Sequence, residues 1–278
     1  MTNDLQIIPL RIGVRMEPWA KLFGIFTQGF LKDKGIDSQL IQYHNAQELM
    51  NALLSAEINV SPMGLKDAPT TMPEGTTIGA LSTRDNARQC LVLPRTIAEK
   101  ADISTLKGLK IGVCTAINQA QLQTLFPEVD AQIHDLLPLE GIEAMRNGTY
   151  DGGIMTTVTI KVLAMREEEW WIRPLNPREF VPEAGQGVAC LVVATEDIPT
   201  RRMLKTVHNP DVALVTNVER SLKKMFNDTD IVAYCERDKM GNYHFNAAAL
   251  VNGTLRKVRL SQSTTVGLAE SAREGLLN

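Results

Sequence analysis

Short apolar runs of strand-like composition alternate with amphipathic helical stretches along most of the chain, and this alternation restricts the fold more than any other feature of the sequence. Residues 10–14, 39–43 and 58–61 read as strands. Residues 18–34 and 46–56 read as helices, the first with Pro18 near its start and Gly35 at its end. A β-α-β-α-β unit of this kind builds a largely parallel sheet covered by helices. The pattern recurs beyond a polar joint near 94–104, with strands at 109–114 and 153–157 and helices at 118–126 and 140–147. Two similar lobes are therefore expected, one from 1–93 with 181–200 and one from 98–178. After Asn209 the character changes to a helix reaching Phe226, followed by strand-like runs at 231–235, 243–251 and 254–260. Asn252-Gly253 between the last two is a type I′ hairpin signal. Residues 205–278 are expected to form a small α+β domain.

Composition narrows the function. Of 278 residues 44% are hydrophobic and 22% charged, the profile of a globular chain, and a net charge of −3 supplies no global basic field for nucleic acid or an anionic membrane. No apolar run approaches the roughly 18 residues of a membrane span, and 1–10 lacks the cationic start of a signal peptide, so a cytoplasmic protein with a small-molecule partner is expected. Cys90, Cys114, Cys190 and Cys235 are scattered singly, without CxxC, and no metal is expected. His44, His134, His208 and His244 are dispersed as well; no Ser/His/Asp or HExxH constellation emerges from spacing, and GxxxxGK[ST] and GxGxxG are absent.

Several local strings carry more. They are Leu10-Arg11-Ile12-Gly13-Val14-Arg15, Leu65-Lys66-Asp67-Ala68-Pro69, Arg84-Asp85-Asn86-Ala87-Arg88, Gln119-Ala120-Gln121-Leu122, Asn147-Gly148-Thr149-Tyr150-Asp151, Pro182-Glu183-Ala184-Gly185-Gln186-Gly187 and Glu219-Arg220-Ser221-Leu222. In this order and spacing the chain resembles the hydroxymethylbilane synthases, also called porphobilinogen deaminases. The resemblance implies an α/β fold: two type II periplasmic-binding-protein-like lobes with mixed sheets and the active site in the cleft between them, plus a small C-terminal α+β domain carrying a cysteine-linked dipyrromethane primer, in a monomer. It also implies head-to-tail condensation of porphobilinogen with loss of ammonia. A carboxylate stabilises the azafulvene cation as its charge develops, and cations hold the acid arms. Asp67 falls on the catalytic aspartate and Lys66 on the lysine before it; the plain alternative is a polar turn whose Asp caps backbone N–H groups. Arg11, Arg15, Arg88, Gly64, Thr115 and Gln186 fall among the substrate-binding positions, and for the arginines the plain alternative is a surface ion pair.

Departures from the family pattern are equally informative. Where the family has its primer-bearing cysteine, extension from Glu219-Arg220 gives Asp228-Thr229-Asp230, with Asp230 at the cysteine position. A carboxylate forms no stable thioether, and Cys235 would have to shift by a strand to substitute, so no dipyrromethane cofactor is expected. The family's Gly-Thr-Ser-Ser-x-Arg-Arg string reads Gly112-Val113-Cys114-Thr115-Ala116-Ile117-Asn118, and Asp135 and Gly141 stand where two further arginines are implied. Each lost charge-assisted contact removes about 1.5–3 kcal/mol of grip on a polyanionic pyrrole chain. The lysine-bearing lid loop between Tyr43 and Ala46 is missing, and Glu17 replaces a small hydroxyl residue after the first strand. Three readings follow. The chain is a divergent enzyme acting on a small pyrrole-like or amine-bearing substrate, a non-catalytic binding protein on the same fold, or a functional synthase using another cysteine.

Overall fold

The structure is a computed structural model that describes residues 9–227 and 230–278. Most of the 1–10 segment examined for a signal peptide, and Asp228 and Thr229 beside Asp230, lie outside the described residues. Two compact units emerge, the first running to Thr83 and resuming at Val188–Val212, the second made of Arg84–Gly187 and Ala213–Asn278.

The first unit opens with β1 (Leu10–Arg15), α1 (Pro18–Asp33), β2 (Ser38–Tyr43), α2 (Ala46–Leu54), β3 (Ser61–Gly64) and β4 (Thr76–Leu81). Alternation explains β1: Leu10, Ile12 and Val14 enter the core, while Arg11, Gly13 and Arg15 face the other way. Only His44 and Asn45 join β2 to α2, and Asn45 caps the helix by accepting the Glu48 N–H while Glu48 accepts the His44 N–H. The strand expected at 58–61 lies later, at β3, because Asn59 and Val60 donate their N–H groups to the Arg11 carbonyl instead, and Val60 bridges Ile12.

The second unit continues with β5 (Gln89–Pro94), α3 (Arg95–Ala98), β6 (Lys110–Val113), α4 (Ala116–Leu125), β7 (Asp130–Ile133), α5 (Pro138–Arg146), β8 (Gly152–Thr156), α6 (Thr157–Val162) and β9 (Trp170–Pro174). Its five strands are ordered β7-β6-β8-β5-β9, with β5 antiparallel to both neighbours. The chain then returns to the first unit as β10 (Ala189–Ala194) and α7 (Ile198–Leu204), and β10 inserts antiparallel between β3 and β4. Joined through the Ile12–Val60 bridge, the first unit reads β2-β1-β3-β10-β4, the same order as the second. In each unit the reversed strand is the crossing segment, β5 after β4 and β10 after β9. This is the type II periplasmic-binding-protein-like arrangement with mixed sheets. Strand β5 was expected in the first lobe; it pairs instead with β8 and β9.

The chain closes with α8 (Pro210–Met225), β11 (Ile231–Arg237), β12 (Tyr243–Val251), β13 (Thr254–Gln262) and α9 (Leu268–Leu277). Phe245, Ala247 and Ala249 of β12 pack under α8 and α9, and Ala248 between them faces Ile117 and Val181. Asn252 and Gly253 both take positive φ, 52° and 75°, as a type I′ turn requires.

Candidate functional site

In open α/β sheets ligands gather at the carboxyl ends of the parallel strands. In the first unit that edge carries the turn after β3. Leu65 and Ala68 are buried, and the Leu65 N–H donates to the Val188 carbonyl, so Lys66 and Asp67 project between two fixed points. The turn closes through the Asp67 N–H onto the Gly64 carbonyl at 3.0 Å. Lys66 Nζ lies 2.6 Å from Asp67 Oδ1, with the Asp67 side chain 57% exposed. A Cβ on Gly64 would stand 2.7 Å from Asp67 Oδ2, so glycine leaves the space the carboxylate uses. The arrangement offers a solvent-facing carboxylate with a lysine beside it.

Arg15 ends β1 at the same edge, and its Nη1 is 2.9 Å from Glu17 Oε1, so the acidic replacement engages the very arginine expected to hold an anion. Arg11 is engaged elsewhere. Its backbone N–H and its Nε both donate to Asn59 Oδ1, and Nη2 donates to the Ala56 carbonyl at 3.0 Å, closing the end of α2. The expected substrate role of Arg11 gives way to this brace because Arg11 faces α2 along the strand, away from the carboxyl edge.

The carboxyl edge of the second unit gathers Arg88, Thr115 and the start of α6. Antiparallel β5 begins where β8 ends, so Arg88 lies beside Thr157, whose N–H and Oγ1 donate to the Arg88 carbonyl. The Arg88 side chain is exposed and forms no ion pair among the described residues. Thr115 caps α4, its Oγ1 accepting the Asn118 N–H at 3.2 Å, which leaves its hydroxyl hydrogen free to serve a ligand. Exposed Cys114 precedes it. Gln186, by contrast, is 1% exposed; its Nε2 donates to the Ala87 carbonyl at 2.7 Å and its Oε1 accepts the Glu183 N–H. Its amide therefore ties the 84–88 segment to the 183–187 turn instead of reaching a ligand.

A fully buried carboxylate that sequence reasoning assigned no role organises this region. Glu219 of α8 accepts from Arg84 Nη1 at 2.6 Å, Arg84 Nη2, the Gly185 N–H and the Cys235 N–H, while Arg84 Nε donates to the Gln186 carbonyl. Burial opposes the Arg84 charge, but Glu219 outweighs it and holds the guanidinium above its ordinary value. Both residues stood in the quoted strings; only the fold shows that they meet.

The C-terminal domain bears on the primer. Asp230 is exposed, with φ 47° and its carbonyl accepting the Leu250 N–H. Cys235 is 1% exposed within the core under α8 and α9; burial, then the neighbouring Glu219 charge, push its thiol up to about 12. Neither group supplies the accessible thiolate that a thioether needs, so these residues do not fit a sulfur-linked dipyrromethane. Spacing also missed a Ser-His-Asp contact: His244 Nδ1 is 2.8 Å from Ser261 Oγ and its Nε2 2.9 Å from Asp238 Oδ2. Strand pairing creates it by placing His244 opposite Ser261, and Asp238 also accepts the Met240 and Asn242 N–H groups, so the cluster braces a turn. Among the described residues no group of three or more His, Cys, Asp or Glu could hold a metal ion, and no helix is long and apolar enough to cross a membrane.

Comparison with known proteins places this geometry in context. The family model described as "Porphobilinogen deaminase, dipyromethane cofactor binding domain" matches residues 22–202. The porphobilinogen deaminase of Streptococcus sanguinis is 28% identical over 235 residues, 81% of this chain and 74% of that protein. That of Syntrophobacter fumaroxidans is 26% identical over 75% of this chain and 63% of its own length, and that of Sulfurimonas denitrificans 30% identical over 63% and 55%. Among solved structures, the Bordetella pertussis BvgS VFT2 domain (a double mutant) aligns with 73% of this chain and 90% of that chain, at 16% identity and a TM-score of 0.47. The Escherichia coli periplasmic aliphatic sulphonate binding protein aligns with 79% of this chain and 75% of that chain, at 12% identity and a TM-score of 0.40. These two likenesses are too distant to bear on ligand or activity.

Proposed function

From the premise that the chain belongs to the porphobilinogen deaminase family, we propose that it is a divergent enzyme which expels ammonia from a small pyrrole-like or amine-bearing substrate without a covalent dipyrromethane. The observation that carries this reading is the Lys66-Asp67 pair, held at a carboxyl edge between buried Leu65 and Ala68. As the C–N bond of an aminomethylpyrrole, protonated on its amine, breaks, the electron pair leaves with nitrogen as neutral ammonia and positive charge spreads into the ring; water then adds to the exocyclic carbon and loses a proton, giving a hydroxymethylpyrrole. A carboxylate beside the ring N–H stabilises that charge as it forms. Lys66 fixes the carboxylate, and Arg15 at the same edge is the group available to hold an acidic arm. With Arg15 already paired to Glu17 and Asn118 in place of an arginine, grip on a growing polyanionic chain is weak, which favours a single small substrate over hydroxymethylbilane assembly. The protein is proposed to act as a monomer in the cytoplasm on a small-molecule partner.

Two measurements test this. Intact-mass spectrometry of protein made in a haem-synthesising host is expected to give the bare polypeptide mass of 30.7 kDa; an increment mapping to any residue overturns the cofactor-free reading. Ammonia release from porphobilinogen or a simpler aminomethylpyrrole is expected for the wild type and lost in Asp67→Asn with an unchanged melting temperature. Unchanged release in that variant, or binding without release by the wild type, supports the non-catalytic binding protein instead.

A further inference from the structure

Two buried side chains in the second unit lack hydrogen bonds that burial demands. Gln89 Nε2 and Asn118 Oδ1 have no partner, and the two residues are only 3% and 2% exposed. Buried amide groups are almost always satisfied, and an unsatisfied one costs stability until a partner arrives. One of the two orphans is a donor and the other an acceptor.

Their placement follows from the elements that carry them. Gln89 starts β5 and shares a sheet face with Leu91 and Leu93. Asn118 lies one helical turn ahead of Leu122 on α4, and Leu122 packs in one core with Leu91 and Leu93. Because β5 runs opposite to β8, which is parallel to β6, the start of β5 and the start of α4 occupy the same end of the sheet. Both amides therefore lie in the outermost layer of that core, on one face, under the carboxyl edge. Helical side chains lean towards the helix N-terminus, which aims Asn118 at the edge where Thr115 and Arg88 stand.

We propose that Gln89 and Asn118 form the floor of a ligand subsite that reads an N–H donor beside a carbonyl acceptor, as in a pyrrole carboxamide or a lactam. This deepens the reading above and rests on it for the pyrrole. A carboxylate offers acceptors only, so it satisfies Gln89 but sets oxygen against Asn118 Oδ1; an amide satisfies both. The choice also fits the sequence, which has Ile117 and Asn118 where the family resemblance implies two arginines. A neutral floor selects a neutral group.

The test is binding of pyrrole-3-carboxamide, pyrrole-3-carboxylate and porphobilinogen to the full chain, followed by thermal shift and calorimetry; substitution at the 3-position keeps the ring N–H away from the acyl group, so only the amide sets a donor beside its acceptor. The carboxamide is expected to raise the melting temperature and to bind at least tenfold more tightly than the carboxylate. Asn118→Leu and Gln89→Met remove the orphan atoms; each is expected to melt no lower than wild type without ligand and to lose at least tenfold in carboxamide affinity. Should either fail to fold, Gln89→Glu, which keeps the shape but removes the donor, provides the same comparison. Equal affinity for amide and acid, undiminished carboxamide binding in the variants, or a crystal structure with the carboxamide showing one water between the two side chains overturns the subsite. Porphobilinogen binding without carboxamide binding removes the subsite alone, whereas silence from both compounds removes the pyrrole reading with it.

Discussion

Asp67 shows how one side chain depends on its backbone. Its turn is fixed by the buried neighbours Leu65 and Ala68, and the carboxylate uses the space that Gly64 leaves open. Gly64→Ala is expected to lower turnover at least tenfold while shifting the melting temperature little, because the atom a methyl would meet is the end of an exposed side chain; an activity assay beside a thermal melt checks this. Thiol chemistry separates the cysteines in the same local way. Cys114 is exposed while Cys90, Cys190 and Cys235 are buried, and burial raises the thiols of Cys90 and Cys235. Brief alkylation of the native protein is therefore expected to label Cys114 alone, by peptide mass mapping. Residue types and order in the chain made Lys66-Asp67 legible. Arg11 and Gln186 match motif positions at which ligand binding is expected, but residue order says nothing about the hydrogen bonds that occupy them here, to Asn59 and Ala56 and to Ala87 and Glu183.

Elements hold these residues in place through a few non-local contacts. The Arg84–Glu219 pair ties the segment entering β5 to α8 and, through Gly185 and Cys235, to two further segments. Removing one partner of a buried, hydrogen-bonded pair leaves an uncompensated charge, so Arg84→Met is expected to cost about 3–5 kcal/mol, measurable by urea denaturation. Hairpin β12–β13 was readable from Asn252-Gly253 because a two-residue type I′ turn needs positive φ at both positions. Gly253→Val places a β-branched residue at φ 75° and is expected to destabilise by at least about 1 kcal/mol in the same assay. By contrast β5 and β10 were hard to place: Gln89 to Leu93 and Cys190 to Ala194 are buried throughout, so no alternation marks a face or a partner.

At the scale of the whole molecule, the repeated strand order gives each unit one carboxyl edge; the first unit depends on β10, which returns from beyond its opening run, and the second on the closing segment 213–278. Stability of the whole also answers to acid. The hydrogen bond from His244, aided by the Asn242 N–H, lowers Asp238 from 3.8 to about 2, and bonding to Lys161 lowers Asp85 in the same direction. Folded values below unfolded ones mean that these carboxylates favour the fold above about pH 4, and that this support disappears as pH falls towards 2. Melting temperatures are expected to drop through that window, and Asp238→Asn is expected to flatten the drop. By itself the sequence determined the alternating elements, the family and the acidic turn, since these depend on periodicity, local turn chemistry and residue order. Only the tertiary structure decided which unit claims each crossing strand, that Glu219 receives Arg84, and that Gln89 and Asn118 are buried without partners, because burial and hydrogen-bond satisfaction depend on residues distant in the chain.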